Sequence, residues 1–293
     1  MSDGNLAQRA GVALASVFLA AVLTGAASAE TLRERGSYLV NTIASCGNCH
    51  TPKDAAGRAI RVKDLAGGLE FDDPDVGHVI PPNITPDPET GIGKWSAAQI
   101  VAALRDGKRP DGTIIGPPMP IPVYRELSDR DAAAIAEYLR SVRPIRQAVA
   151  RTQFKIPLPP AYGPPVNQVA EPPRSDKVAY GAYLAGPVGH CVLCHTNSGE
   201  GKPFDMSRAY AGGRDLPDFG KPGGRTVSRN ITPDPDSGIG KWSDAQIKRA
   251  ITAGIRPDGT KLTRTMPFDW YAHMTPADLD AIVAYLRTLK PMK

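Results

Sequence analysis

Cys46-Gly47-Asn48-Cys49-His50 and Cys191-Val192-Leu193-Cys194-His195 decide the fold of this chain. The pattern C-x-x-C-H has one dominant chemical use, the covalent attachment of c-type haem. Two thiols three residues apart on one helical turn form thioethers to the two vinyl groups of a haem. The adjacent imidazole then lies under the ring as the proximal ligand to iron. A zinc site or a dithiol redox pair preceding a histidine are the competing readings. All four cysteines of the chain fall in the two pentapeptides, which favours two covalently bound haem c groups.

Other features repeat with the motifs, and they set the domain organisation. Asn83-Ile-Thr-Pro-Asp-Pro-Glu-Thr-Gly-Ile-Gly-Lys-Trp-Ser96 recurs as Asn230-Ile-Thr-Pro-Asp-Pro-Asp-Ser-Gly-Ile-Gly-Lys-Trp-Ser243, an offset of 147, against 145 for the cysteine motifs. Gly36 matches Gly181, Arg109-Pro-Asp-Gly112 matches Arg256-Pro-Asp-Gly259, and Tyr138-Leu-Arg140 matches Tyr285-Leu-Arg287. One domain is used twice, over 30–146 and 175–293, with a segment 147–174 between. The stretch Arg143 to Ser175 holds eight prolines, so it is extended and cannot be helical. It is a spacer, or a strap along both domains that buries Phe154, Ile156, Leu158 and Tyr162.

Residues 1–29 have the form of a signal peptide. Gly11 to Leu23 is apolar and short against the roughly 20 residues of a membrane span, and Ala27-Ser28-Ala29 fits a cleavage site before Glu30. Export to the periplasm follows, with a mature protein that is soluble or peripheral on the outer face of the cytoplasmic membrane. Nucleic acid is excluded as a partner on the same ground. Charge is uneven: 30–146 carries 15 basic and 16 acidic residues (net −1), and 147–293 carries 19 and 13 (net +6). The excess is an ordinary solvated surface, or a face that docks an acidic partner.

Each copy is mainly helical. A helix from Thr31 to Ser45 runs into the first motif. Ser96 with Gln99, and Ser243 with Gln246, open capping boxes. Ser128 or Asp129 starts a third helix, and Thr275-Pro276 combines an N-cap with proline at the first helical position. Connections rich in Gly and Pro offer few strand-like runs. Such small domains build modest cores, and haem supplies the missing apolar filling.

A sixth iron ligand in one copy should have a counterpart in the other. His78, His190, His273, Met206, Met274 and Met292 are unmatched and are read as surface or packing residues. Met119 and Met266 match at an offset of 147, each followed by proline. Paired methionines are core filling or axial ligands, and their Pro-rich loops favour ligation. Filled axial positions leave iron no open site and suit one-electron transfer. Trp95 and Trp242 pack beside the capped helices or reach a haem propionate, and Arg225 and Arg229 are further propionate candidates.

With these motifs in place, the chain resembles the class I cytochrome c domains in the cytochrome subunits of bacterial membrane-associated alcohol, aldehyde and gluconate-type dehydrogenases. C-x-x-C-H, the loop N-I-T-P-D-x-x-T/S-G-I-G-K-W-S and the later M-P carry the resemblance across nearly all of both copies. It implies a mainly α fold, a tandem pair of class I cytochrome c domains joined by a Pro-rich linker. It implies haem attached at Cys46, Cys49, Cys191 and Cys194, with His50/Met119 and His195/Met266 as the axial pairs. Gly36 with Tyr138, and Gly181 with Tyr285, would mark the crossing of first and last helices. The implied role is non-catalytic: electrons from a dehydrogenase catalytic subunit pass to a downstream cytochrome, oxidase or quinone-linked acceptor. Alcohol and gluconate dehydrogenase subunits of that family carry three haem domains, whereas two copies are read here. The alternatives are a free carrier, and a di-haem enzyme of peroxidase or thiosulfate dehydrogenase type with one open haem site.

Overall fold

The computed structural model describes Met1 and residues 29–199, 204–219, 221 and 223–293; the expected signal peptide lies almost wholly outside them. Met1–Glu30 and Thr31–Lys293 are separate units, and every element below belongs to the second. Helix α1, Leu32–Asn41, opens on a capping box: the Thr31 hydroxyl accepts the Glu34 N–H at 3.2 Å, and Glu34 accepts the Thr31 N–H at 2.9 Å. The helix stops short of the expected Ser45. The Ala44 N–H bonds the Leu39 carbonyl and the Cys46 N–H that of Val40, so the ladder widens, and Ser45 then turns left-handed at φ 44°. That wide turn carries the chain into α2, Gly47–His50.

Three more helices complete the first half: α3, Ala97–Arg105, boxed by Ser96 and Gln99; α4, a single turn over Ile121–Tyr124; and α5, Asp129–Ser141, capped by Ser128. Helix α1 packs on α5 at Gly36, where an added Cβ would stand 1.9 Å from the Ala134 carbonyl oxygen and 2.8 Å from Tyr138 Cβ. Only glycine permits backbones this close. Leu39, Val40, Ile135 and Leu139 fill the crossing and are at most 3% exposed.

The second half repeats the plan with α6 (Lys177–Tyr183), α7 (Cys191–Cys194), α8 (Asp244–Ala253), α9 (Phe268–Tyr271) and α10 (Pro276–Thr288). Ser243 and Gln246 form the second capping box, and Thr275 caps α10 with Pro276 at its first position. Gly181 meets the Ala281 carbonyl at the same 1.9 Å. The wide turn before the motif is here a π-helical turn, Leu184–Val188, ending at His190 with φ 43°, the counterpart of Ser45.

Short strands add to what the sequence led us to expect. Strands β1 (Phe71–Asp73) and β2 (Gly77–Val79) pair antiparallel, Asp72 opposite His78, and β3 (Gln153–Phe154) joins β2. In the second half β4 (Asp215–Asp218) pairs with β5 (Gly224–Val227). Strand β3 comes from the proline-rich segment, which is non-helical throughout. That segment is tied to the first half by Thr152 to Ile80, Tyr162 to the Ile115 carbonyl and the Val166 N–H to Asp106.

The two halves lock together by an exchange of tyrosines. The Tyr38 hydroxyl donates to Asp278 at 2.5 Å and accepts the Thr275 N–H at 3.0 Å. Its counterpart Tyr183 donates to Asp131 at 2.7 Å and accepts the Ser128 N–H at 3.1 Å. Each tyrosine therefore completes the start of the last helix in the opposite half. Asp131 also takes two hydrogen bonds from Arg35, both 2.8 Å, with both side chains essentially fully buried. Burial by itself would lower the Arg35 pKa; the bonds and charge of Asp131 more than reverse this and keep the guanidinium ionised. Removing one member of such a pair strands a buried charge, at about 3–5 kcal/mol.

Candidate haem sites

Each motif histidine is fixed by main chain. His50 Nδ1 lies 2.8 Å from the Pro82 carbonyl oxygen and His195 Nδ1 lies 2.7 Å from that of Arg229. A carbonyl only accepts, so Nδ1 carries the proton and the Nε2 lone pair is left for a metal. The histidine carbonyls are tied as well, His50 to the Gly67 N–H and His195 to the Gly212 N–H, both 2.7 Å. Gly67 and Gly212 sit at φ 75° and 74°, and an added Cβ would meet the carbonyl carbon of Pro82 or Arg229 at 2.4 or 2.5 Å. Burial lowers the pKa of both imidazoles, partly countered by the carbonyl bond. Both rings are thus neutral, as ligands must be.

The cysteines are free of disulfides. Burial pushes the thiols of Cys46 and Cys191 up to about 12 and that of Cys194 up to about 11, with Cys49 also raised. A redox C-x-x-C pair needs the opposite shift, toward thiolate. Among the described residues no group of three or more His, Cys, Asp or Glu side chains is arranged to hold a metal ion, so the zinc reading gains no donor set.

A cavity of about 1020 Å³ is lined by Cys49 and Met119 of the first half and by Cys191, Cys194, His195 and Met266 of the second. Ligand pockets run to about 1,000 Å³, and this one holds thiols, imidazole and thioether sulfurs together. The second half's cysteines, histidine and methionine fit a haem; of the first half's set, Cys46 and His50 do not line this cavity. Ile156, Pro157 and Tyr162 of the proline-rich segment also face it. The methionines stand in equivalent loops: the Ile121 N–H bonds the Met119 carbonyl at 2.8 Å and the Phe268 N–H that of Met266 at 2.9 Å. A single helical turn, α4 or α9, follows each.

Of the unmatched residues, His190 and Met274 also line this cavity. His78 lies on β2 beside Asp72 and Glu70, His273 and Met206 are exposed, and Met274 is core. The ring of His190 meets that of Tyr124 edge-on at 6.1 Å. The Met292 carbonyl accepts from Asn230. Asn83 and Asn230 are turn residues: each side-chain oxygen takes the N–H and hydroxyl of the threonine two residues on, at 2.9 and 2.7 Å. Trp95 and Trp242 pack against the core, and Trp242 borders the cavity. Arg225 is ion-paired with Asp215, whereas Arg229 borders the cavity and supplies the His195 acceptor. Sequence reading missed the Pro82 and Arg229 carbonyls, which have no side-chain signature. It also passed over Tyr124 and Tyr271, both buried, whose 147-residue offset was available.

Two C-x-x-C-H turns with carbonyl-fixed histidines, each followed by a Met-Pro loop, define a c-type haem-binding protein built from a repeated helical domain. Residues 34–143 and 178–290 both match the cytochrome c family, and the chain belongs to it. Membership implies covalent haem c and electron transport. The chain is 31% identical to the cytochrome c subunit of alcohol dehydrogenase (quinone) of Gluconacetobacter polyoxogenes, over 92% of this chain and 60% of that protein. It is 32% identical to the fructose dehydrogenase cytochrome subunit of Gluconobacter japonicus, over 87% and 52%. A diheme cytochrome c-type protein of Cereibacter sphaeroides is 32% identical over 73% of this chain and 70% of its own length. The chain thus spans between half and two thirds of the two dehydrogenase subunits.

Proposed function

We propose that the chain is a di-haem electron carrier of the periplasm that accepts electrons from a dehydrogenase catalytic subunit and passes them toward the respiratory chain. Cys46 and Cys49 hold one haem and Cys191 and Cys194 the other. His50 with Met119, and His195 with Met266, are the axial pairs. The observation that carries this reading is the duplicated histidine setting: the same Nδ1-to-carbonyl bond, at 2.8 and 2.7 Å, at equivalent positions of both halves.

Bound haem supplies a one-electron couple, and thioether ligation sets it at a higher potential than a second imidazole would. The chain's own residues do the remainder. The Pro82 and Arg229 carbonyls hold the imidazoles in one tautomer and one orientation. The Met119 and Met266 loops close the opposite side, and the apolar lining excludes water. Were His50 with Met119 and His195 with Met266 to hold the two haems, neither would offer an open position to substrate, and the chemistry supplied would be one-electron transfer. The dehydrogenase relatives support the choice of donor, and the segment 1–29 supports export; among the described residues no helix is long and apolar enough to cross a membrane.

The direct test is haem stoichiometry and donor assay on protein matured with its haem. Mass spectrometry of the denatured chain should give two haem additions, and Cys191→Ala/Cys194→Ala should leave one. A single addition in the parent protein would end the di-haem reading. Failure to be reduced by any quinone-type alcohol, sugar or sugar-acid dehydrogenase would end the subunit reading.

A further inference from the structure

The Met266 loop does not rest on its own half alone. From Met266 the chain makes one turn, Phe268 N–H to the Met266 carbonyl at 2.9 Å and Trp270 N–H to the Pro267 carbonyl at 3.0 Å. It thereby delivers the Trp270 indole, 3% exposed, onto the first half's haem-attachment turn. A Cβ added at Gly47 would stand 2.9 Å from Trp270 Nε1 and 3.0 Å from its Cζ2. A side chain at the x position after Cys46 would therefore press on the indole of a residue 223 positions away (270 − 47), and on Thr51 Oγ1 of its own turn at 3.1 Å, and one of them would have to shift. Arg61 of the first half covers the indole, its guanidinium 4.8 Å from the ring centroid. Asn48 reaches the Thr265 carbonyl at 3.4 Å and takes a bond from Lys53 at 2.9 Å. The equivalent positions in the other copy are Val192 and Val123, so glycine with tryptophan at one junction stands where valine with valine stands at the other.

We propose that Trp270, seated on Gly47 and clamped by Arg61, is a positioning residue for Met266, so that the sulfur ligand of the second haem is held by the first half. The proposal rests on the reading of Met266 as an axial ligand. The indole and Met266 share one short turn, so a displacement at Gly47 is transmitted to the sulfur through four residues and little slack. The two redox sites are therefore not independent: a change in the attachment turn of the first haem alters ligation of the second.

The test uses full-length, haem-loaded, reduced protein with methionine methyl groups isotopically labelled. A methionine bound to ferrous haem has its methyl resonance displaced far upfield by the ring current. The two resonances are assigned with Met119→Leu and Met266→Leu. If Met266→Leu removes no displaced resonance, the ligation reading fails, and the proposal with it. With that assignment made, Gly47→Ala should move or broaden the Met266 methyl and leave that of Met119 in place. Release of the Met266 sulfur should quicken on the order of tenfold, the scale of one overpacked methyl group. Trp270→Val, which changes no residue of the attachment turn, should disturb the same resonance. Gly47→Val combined with Trp270→Val should restore it toward the parent position. The proposal is overturned if Gly47→Ala and Trp270→Val leave the Met266 methyl unmoved, or if they act on Met119 instead.

Discussion

Replacing Tyr183 by phenylalanine removes one oxygen atom and tests how the halves are joined. The hydroxyl lies 2.7 Å from Asp131, 3.1 Å from the Ser128 N–H and 3.2 Å from the Ser128 hydroxyl. Tyr183 is 6% exposed and Asp131 is fully buried. Burial, reinforced by the Asp131 charge, raises the Tyr183 pKa far enough that the hydroxyl stays a donor at any ordinary pH. Phenylalanine leaves the Ser128 N–H without this acceptor and withdraws a donor from a buried carboxylate. A hydrogen bond to a charged group contributes about 1.5–3 kcal/mol, and an orphaned buried donor costs about 1–3. The two effects share one atom, so we expect a loss of about 2–4 kcal/mol. Tyr38→Phe, at the more open counterpart, should lose about 1–2 kcal/mol. Guanidinium unfolding of the haem-loaded chain reads both, as a lower midpoint at unchanged slope. A loss below about 0.5 kcal/mol for Tyr183→Phe, the level of ordinary surface substitutions, would refute the reasoning.

Gly181→Ala puts a methyl group 1.9 Å from the Ala281 carbonyl; with backbone as the obstacle we expect a loss at or above the top of the ~1–3 kcal/mol of overpacking, seen as a collapse in yield of protein carrying the second haem. Met119→His should lower the potential of one haem only, on the order of 0.1 V within the range of about 0.8 V that axial ligands span, in a spectroelectrochemical titration that resolves two components. Lys53 is held down to about 8 from 10.5 chiefly by burial, with Arg264 adding to the effect and the Asp269 carboxylate opposing it. Below pH 8 it is charged in both states and the folded protein bears the full cost; between 8 and 10.5 the unfolded chain binds more protons, so this contribution to stability rises with pH. Lys53→Met should flatten that rise in a pH series of unfolding midpoints.

Local chemistry made much of the fold legible. The capping boxes at Ser96 and Ser243, the caps at Ser128 and Thr275, and the glycine crossings at Gly36 and Gly181 are each set by residues within a few positions, or by a repeat that doubles the signal. The end of α1 was less so: nothing between Thr42 and Ser45 breaks a helix by propensity, and the left-handed turn at Ser45 follows from delivering Cys46 to its site. The tyrosine exchange was out of reach. Tyr38 and Asp278 are 240 residues apart, and no periodicity within one copy announces a bond to the other. At the sites, side chains can be paired by offset, whereas the carbonyls of Pro82 and Arg229 carry no residue-type signal. His190 is the instructive case: it has no counterpart in the other copy, yet it borders the cavity on a left-handed turn, edge-on to Tyr124.

If methionine closes both irons, carbon monoxide should find no vacant position at either. Optical spectra of the reduced, haem-loaded protein should be low-spin at both haems and unchanged when carbon monoxide is added at neutral pH. A spectrum in which one haem takes up the gas readily would mean an open axial position, and the account of a two-site electron carrier would be contradicted in favour of a haem enzyme.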